Sequence, residues 1–157
     1  MSWSLNLPRL FLFLLACSLV HGVATASAQA VVEPVGRIKS ATGETTIMRA
    51  GQTLSATIGT DVFESDQLRT GSDGRLGITL RDETRVALGP NSDLTLAQFA
   101  FAPEAGRLAL GLRLARGALS YVSGVIAKLA PAAVRIQTPT AVIGVRGTHV
   151  LIKAEAP

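Results

Sequence analysis

The sequence predicts an all-β fold: a single domain of short antiparallel strands and tight turns, arranged as a roll, a sandwich or a β-solenoid-like coil. The first observation is a two-residue alternation, clearest where Leu108, Leu110, Leu112 and Leu114 take every second position. This period places one face of a strand against a core and the other in water. The second observation is that turn-forming residues recur about every 8–12 residues, which favours such folds over βαβ units.

The N-terminal segment is predicted to be an export signal rather than part of the domain. Arg9 precedes an apolar run over residues 10–20, and small side chains at 26–28 match the positions that a signal peptidase reads. The run is shorter than the ~20 residues of a membrane-spanning helix, so a permanent anchor is the weaker alternative. A lipoprotein signal that uses Cys17 is a second alternative. We therefore expect a signal peptide over 1–28 and a periplasmic or secreted protein.

The rest of the chain is predicted to be a short tether over residues 29–34 and one β domain over residues 35–153. No segment after the signal reaches membrane-spanning length, so the processed chain is expected to have no membrane span. The single Cys lies in the signal, and a domain of this size buries enough surface to fold without disulfides.

The strands and turns of the domain follow from the same pattern. Further alternating segments are predicted at 76–80, 86–88, 94–96, 134–136 and 142–152. Turns are predicted at 70–74, 81–84 and 89–92, where Gly, Pro, Asn, Asp and Ser favour bends, and breaks are predicted at Gly106, Gly117 and Gly124. Residues 123–132 are rich in Ala but contain Gly124 and Pro131, so they predict one turn of helix or a loop.

Composition and charge argue against nucleic-acid binding. Lys and Arg number 15 against 11 acids, a net charge of +4, and removing Arg9 with the signal leaves +3. These charges are scattered and form no basic run, and aromatic residues make up 4% of the chain. The core is accordingly expected to rest on Val, Leu, Ile and Ala rather than on aromatic rings.

Catalytic and metal-binding chemistry also lack candidate residues. His149 is the only His after the predicted signal, and no Cys follows Cys17, which excludes Cys–His sites and leaves a Ser–His–Asp triad with one possible base. Zinc would need three or four His, Cys or carboxylate ligands. Acids concentrate between Asp61 and Asp93 but several lie in turns, so calcium binding and glycoside hydrolysis are weaker alternatives. We predict a non-enzyme with no catalytic residue, no cofactor and no metal site.

Two stretches of the sequence resemble the FecR domain family. The first, over 66–82 and 84–96, has an Asp-led strand, a Thr-Gly turn, an alternating strand, a tight hairpin and a Pro-Asn-Ser bend; the second, over 136–150, has Thr-Pro followed by Val-Arg-Gly-Thr. The residues that carry the resemblance are Asp66, Thr70, Gly71, Gly74, Asp82, Pro90, Asn91, Ser92, Thr138, Pro139, Arg146, Gly147 and Thr148. The resemblance extends over residues 36–152 and implies a periplasmic domain that meets protein partners.

The chain departs from the family pattern at several points. Glu83 stands where Gly usually follows the hairpin Asp, so this turn is expected to use another geometry, and Ser65 stands where Gly is common. Larger members place a cytoplasmic anti-sigma segment and a membrane helix before the domain, and we expect this chain to lack both. Structural roles are expected for the second stretch: Pro139 starts a strand, Gly147 permits a bulge or the close approach of another backbone, and Arg146 bridges carbonyls or an acid.

Two functions from different classes follow as hypotheses. The first is a non-catalytic sensing or protein-interaction module of the cell envelope, which docks an envelope protein partner by adding a strand to an open sheet edge. The alternative is a structural module that binds an envelope glycan or another ligand, which the basic surface favours. Neither hypothesis involves a nucleic acid.

Overall fold

The computed structural model describes residues 32–155, which form twelve β-strands, one short α-helix and two 3-10 turns. The strands are β1 (Gly36–Thr42), β2 (Thr45–Arg49), β3 (Gln52–Ser55), β4 (Asp61–Val62), β5 (Gln67–Thr70), β6 (Arg75–Leu80), β7 (Arg85–Leu88), β8 (Asp93–Ala102), β9 (Arg107–Val122), β10 (Val134–Gln137), β11 (Val142–Gly144) and β12 (His149–Ala154). Helix α1 spans Val125–Leu129, and the 3-10 turns span Pro103–Ala105 and Pro131–Ala133. The predicted all-β fold is confirmed. The predicted signal peptide over 1–28, with Cys17, lies outside the described residues.

The strands form one curled sheet whose two halves share the long strand β9. One half has the order β3-β2-β5-β8-β9, and the other continues as β9-β7-β6-β1-β4, with every pair antiparallel. On the opposite side of β9, β10 pairs with its first part and β12 with its second part. Within residues 32–155, β3, β4, β11 and β12 each pair with a single neighbour, so these four strands are the edges of the sheet.

One pair of strands differs from the predicted antiparallel arrangement. β10 runs parallel to β9, with Val134 beside Leu110 and Ile136 beside Leu112. A parallel neighbour needs a crossover connection, and α1 with the following 3-10 turn supplies it. Of the two possibilities predicted for residues 123–132, one turn of helix or a loop, the structure has a short helix, α1. No helix in the described part of the chain has the length and apolar character that spanning a membrane requires.

Gly117 lies inside β9, where the sequence predicted a break. Its φ is 94°, and a Cβ at this position would overlap Ser92. The pairing of β8 with β9 shifts register close by, between Asp93 and Leu94. Beyond this point β9 leaves β8 and continues between β7 and β12. The glycine therefore bends one strand from the first half of the sheet into the second instead of ending it.

The core lies between the two halves and consists mainly of Leu, Ile and Val. Leu110, Leu112 and Leu114 of β9 are buried, whereas Leu108 is only partly buried. Other fully buried core side chains are Ile38, Ile47, Leu68, Leu76, Ile78, Leu94, Leu96, Leu119 and Tyr121. Each large aliphatic side chain that leaves water stabilises the fold by about 1.5–3 kcal/mol before chain entropy is counted.

The C-terminal segment does not form the single alternating strand predicted over residues 142–152. Val142 is 67% exposed and Val145 is 2% exposed, the reverse of the predicted alternation. The chain bends between β11 and β12 at Gly147, whose φ is 150°. The bend resets the alternation, and Leu151 of β12 faces solvent.

Candidate functional site

The signature residues Thr70 and Ser92 meet in a buried hydrogen-bonded junction. Thr70 Oγ1 donates to the Gly89 carbonyl at 2.7 Å and accepts from the Ser92 amide at 2.9 Å. The Ser92 hydroxyl accepts from the Ala118 amide at 3.0 Å. Two side chains therefore join β5, the bend between β7 and β8, and β9. Because both are buried, losing either would leave backbone groups without a partner or water.

Gly71, Gly74 and Asn91 pack backbone against backbone beside this junction. The Gly71 carbonyl accepts from the Asn91 amide at 2.9 Å and from the Gly74 amide at 3.1 Å. A Cβ on Gly74 would overlap the carbonyl of Glu44, and Asn91 has a left-handed φ of 52°. Pro90 is exposed at the start of the bend. These contacts hold the Thr-Gly turn and the Pro-Asn-Ser bend against each other.

Asp66 holds a second buried polar contact at the start of the first stretch. Its carboxylate accepts two hydrogen bonds from Arg49, at 2.8 and 2.7 Å, and one from the Phe63 amide at 2.8 Å. The Arg49 guanidinium also lies 4.4 Å from the centre of the Phe63 ring. The hydrogen bond to Asp66 raises the pKa of Arg49 above its ordinary value. Removing one partner of this ion pair would leave the charge of the other uncompensated.

Asp82 fastens α1 to the hairpin between β6 and β7. Its carboxylate accepts from the Thr84 amide at 3.1 Å, from the Thr84 hydroxyl at 2.7 Å and from the Ile126 amide at 3.3 Å. Its backbone carbonyl accepts from the Val125 amide at 2.7 Å. Asp82 is fully buried, so these donors replace the water that its carboxylate would otherwise need.

The turn at Glu83 has the left-handed geometry that Gly usually adopts at this position, although the sequence predicted another geometry. Glu83 has a φ of 67°, the left-handed region that favours Gly, so the expectation of another turn geometry is wrong. Ser65, the other departure from the family pattern, has a φ of 71°. The buried contacts of Asp82 and Asp66 beside these two residues hold the backbone in this conformation.

The second stretch lies mostly on the surface. Thr138 closes a turn between β10 and β11: its amide donates to the Ala141 carbonyl at 2.8 Å, and its Oγ1 accepts from the Ala141 amide at 3.1 Å. Pro139 lies in that turn and is exposed, so the expectation that it starts a strand is wrong. The turn is local to β10 and β11, and nothing brings it to the junction at Thr70.

The Arg-Gly-Thr segment fastens the beginning of β12 to the end of β9. The Ser123 hydroxyl donates to the Gly147 carbonyl, and the Ser123 amide donates to the Thr148 carbonyl at 2.9 Å. Val145 anchors the segment in the core. Arg146 is exposed and makes no hydrogen bond or ion pair within residues 32–155, so the expected bridge is not observed. The segment therefore positions β12 beside β9.

β12 presents an unpaired backbone edge. Because the Ser123 amide donates to the Thr148 carbonyl, alternate residues of the strand point their backbone groups at β9 and away from it. His149, Leu151 and Lys153 are the residues whose N–H and C=O groups face outward. β12 has six residues, whereas the other edges β3, β4 and β11 have four, two and three. It is the longest open edge of the described sheet.

A shallow groove, which we name the edge groove, lies on the outer face next to β12. It is lined by Ser40, Arg75, Leu76, Ala87, Leu88, Gly89, Ala118, Leu119, Ser120, Leu151, Ile152 and Lys153. The register places Ala87 beside Ser120 and Ser120 beside Leu151, so small side chains lead up to an exposed Leu. Leu151 is 74% exposed, the highest fraction among the large apolar side chains of the described residues.

A serine–histidine contact lies on the same face. The Ser120 Oγ and the His149 Nε2 are 2.9 Å apart, and both side chains lie on the outer surface of β9 and β12. A hydrolytic triad adds a carboxylate that orients the imidazole. No hydrogen bond joins His149 to a carboxylate in the part of the chain that the structure describes. The contact ties β12 to β9 on their solvent side.

Sequence reasoning did not single out Leu151, the exposed residue at the centre of β12. The alternation had placed Val150 and Ile152 toward the core, which leaves the residue between them on the polar face. The sequence did contain a signal for this residue: a large apolar side chain stands at a position that the alternating pattern assigns to solvent.

Comparison with known protein families places the chain in a family. The family model described as FecR protein matches residues 66–157, well over half of the chain. The match begins at the buried Asp66 and includes the Thr70–Ser92 junction, the Asp82 contacts and β12; β1 to β4 precede it. No curated protein and no solved structure shows significant similarity to the chain. The chain belongs to the FecR family, whose members are signalling-related.

Proposed function

We propose that this FecR-family chain is a non-catalytic sensing and protein-interaction module of the periplasm, and that it docks a partner by pairing a strand with β12. The observation that carries the proposal is the open, six-residue edge of β12 with Leu151 exposed at its centre. Backbone pairing at such an edge supplies affinity, and alternate side chains supply specificity.

The exposed edge is unusual because natural sheets protect their edges. Common protections are very short strands, bulges, prolines, inward-pointing charges and charged side chains, especially Lys, along the edge. β12 has one such charge, Lys153 near its C-terminal end, and none at its centre. β3, β4 and β11 are short, whereas β12 pairs regularly with β9 along its whole length. An exposed Leu at the middle of a regular edge strand is the feature that these protections would remove. We infer that β12 is kept open for a partner.

The structural arrangement of the signature residues supports the same function. The first stretch builds buried contacts between strands, and the second attaches β12 through Ser123. Neither stretch assembles a nucleophile, base and orienting acid. The glycan-binding alternative has less support, because the outer face of β1, β6, β7 and β12 offers no Phe, Tyr or Trp side chain for a sugar ring to stack on.

Site-specific photo-cross-linking in the cells that make the protein tests this function. A photoreactive residue at Leu151 is expected to yield a discrete cross-linked species with an envelope protein. The matched control is Ile58, which is 68% exposed in the connection between β3 and β4 and is expected to yield none. Equal yields from both positions, or none from Leu151, would show that β12 is not the docking edge.

A further inference from the structure

We propose that the strand that docks on β12 is acidic, with a carboxylate side chain opposite Lys153 and an apolar side chain opposite Leu151. The inference rests on the proposed function, because it specifies the chemistry of the partner with which β12 pairs. Three observations support it: the side chains of β12 that point outward, the charge of the surrounding face, and the edge groove.

The register of an added strand determines which side chains meet. Successive side chains of a strand point to opposite faces of the sheet, so every second residue of the partner lies on the outer face with His149, Leu151 and Lys153. Directly opposite side chains are about 4.5–5.5 Å apart between Cβ atoms, close enough for ion pairs and apolar contacts. The partner therefore needs three residues at alternate positions. A polar or acidic residue lies opposite His149, an apolar one opposite Leu151 and an acidic one opposite Lys153.

The charge of the outer face favours a carboxylate at the Lys153 position. β1, β6, β7 and β12 contain no Asp or Glu, although Arg37 of β1 is ion-paired with Asp61 of the neighbouring β4. Their other cations are Lys39, Arg75, Arg85 and Lys153. Arg75 lines the edge groove together with Lys153. Lys153 contacts Glu155 at 3.5 Å, but both side chains are more than three-quarters exposed, so this pair contributes little and leaves Lys153 available.

The edge groove favours an apolar side chain at the Leu151 position. Ala87 and Ser120 lie in register beside Leu151 and are too small to fill the space next to it. An apolar side chain of the added strand would contact Leu151 and remove it from water, at about 25 cal/mol for each Å² of apolar surface buried.

A second copy of the chain fits this edge less well. If two β12 strands paired antiparallel about Leu151, each Lys153 would lie opposite His149 rather than a carboxylate. Arg75 in the edge groove would add to the uncompensated positive charge. Opposite-charge pairs stabilise cross-strand contacts and like charges destabilise them, so a heterologous acidic strand is the better occupant.

Binding of two short capped peptides to the full chain tests the inference. One has the central sequence Glu-Thr-Val-Thr-Glu, and the other has Lys-Thr-Val-Thr-Lys. The acidic peptide is expected to bind about threefold to tenfold more tightly by calorimetry, because exchanging a favourable pair for a like-charge pair changes affinity by about that factor. Added salt is expected to reduce the difference.

Three variants locate the effect. Lys153→Glu is expected to reverse the preference, whereas Lys128→Glu makes the same charge change on the exposed surface of α1 and is expected to leave it unchanged. Leu151→Pro is expected to abolish binding of both peptides. Its missing N–H faces away from β9, so the internal hydrogen bonds of the sheet are retained and circular dichroism is expected to be unchanged.

The outcomes separate the inference from the proposed function. Equal binding of both peptides, with Leu151→Pro still abolishing it, would overturn the acidic preference and support edge pairing. Binding that survives Leu151→Pro would overturn edge pairing itself. Absence of binding by either peptide at millimolar concentration, or a dimer that Leu151→Pro dissociates, would overturn the inference, while cross-linking at Leu151 decides the proposed function.

Discussion

Tyr121 is fully buried in β9, and its hydroxyl makes no hydrogen bond of ordinary geometry within the described residues. Burial raises the pKa of Tyr121, although the hydroxyls of Ser123 and Thr84 lie near enough to oppose part of this shift. A buried hydroxyl without a partner costs about 1–3 kcal/mol relative to its hydrated state. The ring therefore stabilises the core while its hydroxyl reduces that stabilisation.

Replacing Tyr121 with Phe is expected to raise the free energy of unfolding by about 1 kcal/mol, because an unpaired polar group is removed while the ring is kept. The pH dependence gives a second readout. Because the pKa of Tyr121 is higher in the folded state, its contribution to stability is fully present below the unfolded-state pKa of about 10. That contribution is lost as the pH rises through the folded-state pKa.

Urea unfolding at a series of alkaline pH values measures this loss. Tyr121 is the only Tyr in the chain, so the Phe variant removes every tyrosine contribution to the slope. The wild-type protein is expected to lose stability above about pH 10 more steeply than the variant. Parallel curves for the two proteins would show that the hydroxyl is not buried as described.

Individual residues also show where sequence reasoning stops. The left-handed backbone at Glu83 was not expected from a Glu; hairpin hydrogen bonds between Leu80 and Thr84 and the buried contacts of Asp82 hold it in place. Arg146 was expected to bridge neighbouring groups, but it is exposed next to the bend at Gly147, where the sequence indicated only a bulge. Contacts between residues far apart in the chain, Asp82 with Ile126 and Ser123 with Gly147, contribute to both positions.

At the scale of elements, β9 determines how the two halves of the sheet meet. Its first part pairs with β8 and β10, its second part pairs with β7 and β12, and Gly117 lies at the change. A positive φ and close contact with Ser92 are both required there. The element therefore depends on one residue without a Cβ.

Gly117→Ala is expected to destabilise the protein by about 3 kcal/mol or more, because left-handed strain and overlap with Ser92 add together. Gly106→Ala is the matched control. Gly106 also has a positive φ, of 63°, but a Cβ there meets only open space, so about 1–2 kcal/mol is expected. The difference in urea midpoints isolates the overlap, and equal losses would contradict the close packing of β9 on the bend.

The elements divide into those that periodicity predicts and those that it does not. β6, β7 and the first part of β9 follow from alternating apolar residues, because one face of each strand is buried. The passage of β9 through Gly117 was predicted as a break, since glycine in a turn and glycine in a strand bend are indistinguishable from sequence. The parallel pairing of β10 depends on the crossover through α1, which alternation does not report.

At the scale of the whole molecule, the fold protects three sheet edges and leaves the fourth accessible. β3, β4 and β11 are short, while β12 is regular and carries Leu151 outward beside a face without acids on β1, β6, β7 and β12. The FecR signature residues support this arrangement from within, since they join β5, β8 and β9, fasten α1 and attach β12. The proposed protein-interaction function therefore lies at an edge of the sheet rather than in a cavity.

Amide hydrogen exchange of β12, followed residue by residue by NMR, tests this assignment most directly. In the isolated protein the amides of Leu151 and Lys153 are expected to exchange rapidly, because they face outward, while those of Val150 and Ile152 are protected by β9. Addition of the envelope partner identified by cross-linking is expected to slow the amide exchange of Leu151 and Lys153 selectively. Equal protection of all four amides in the isolated protein, or no change at Leu151 and Lys153 on binding, would contradict edge docking at β12.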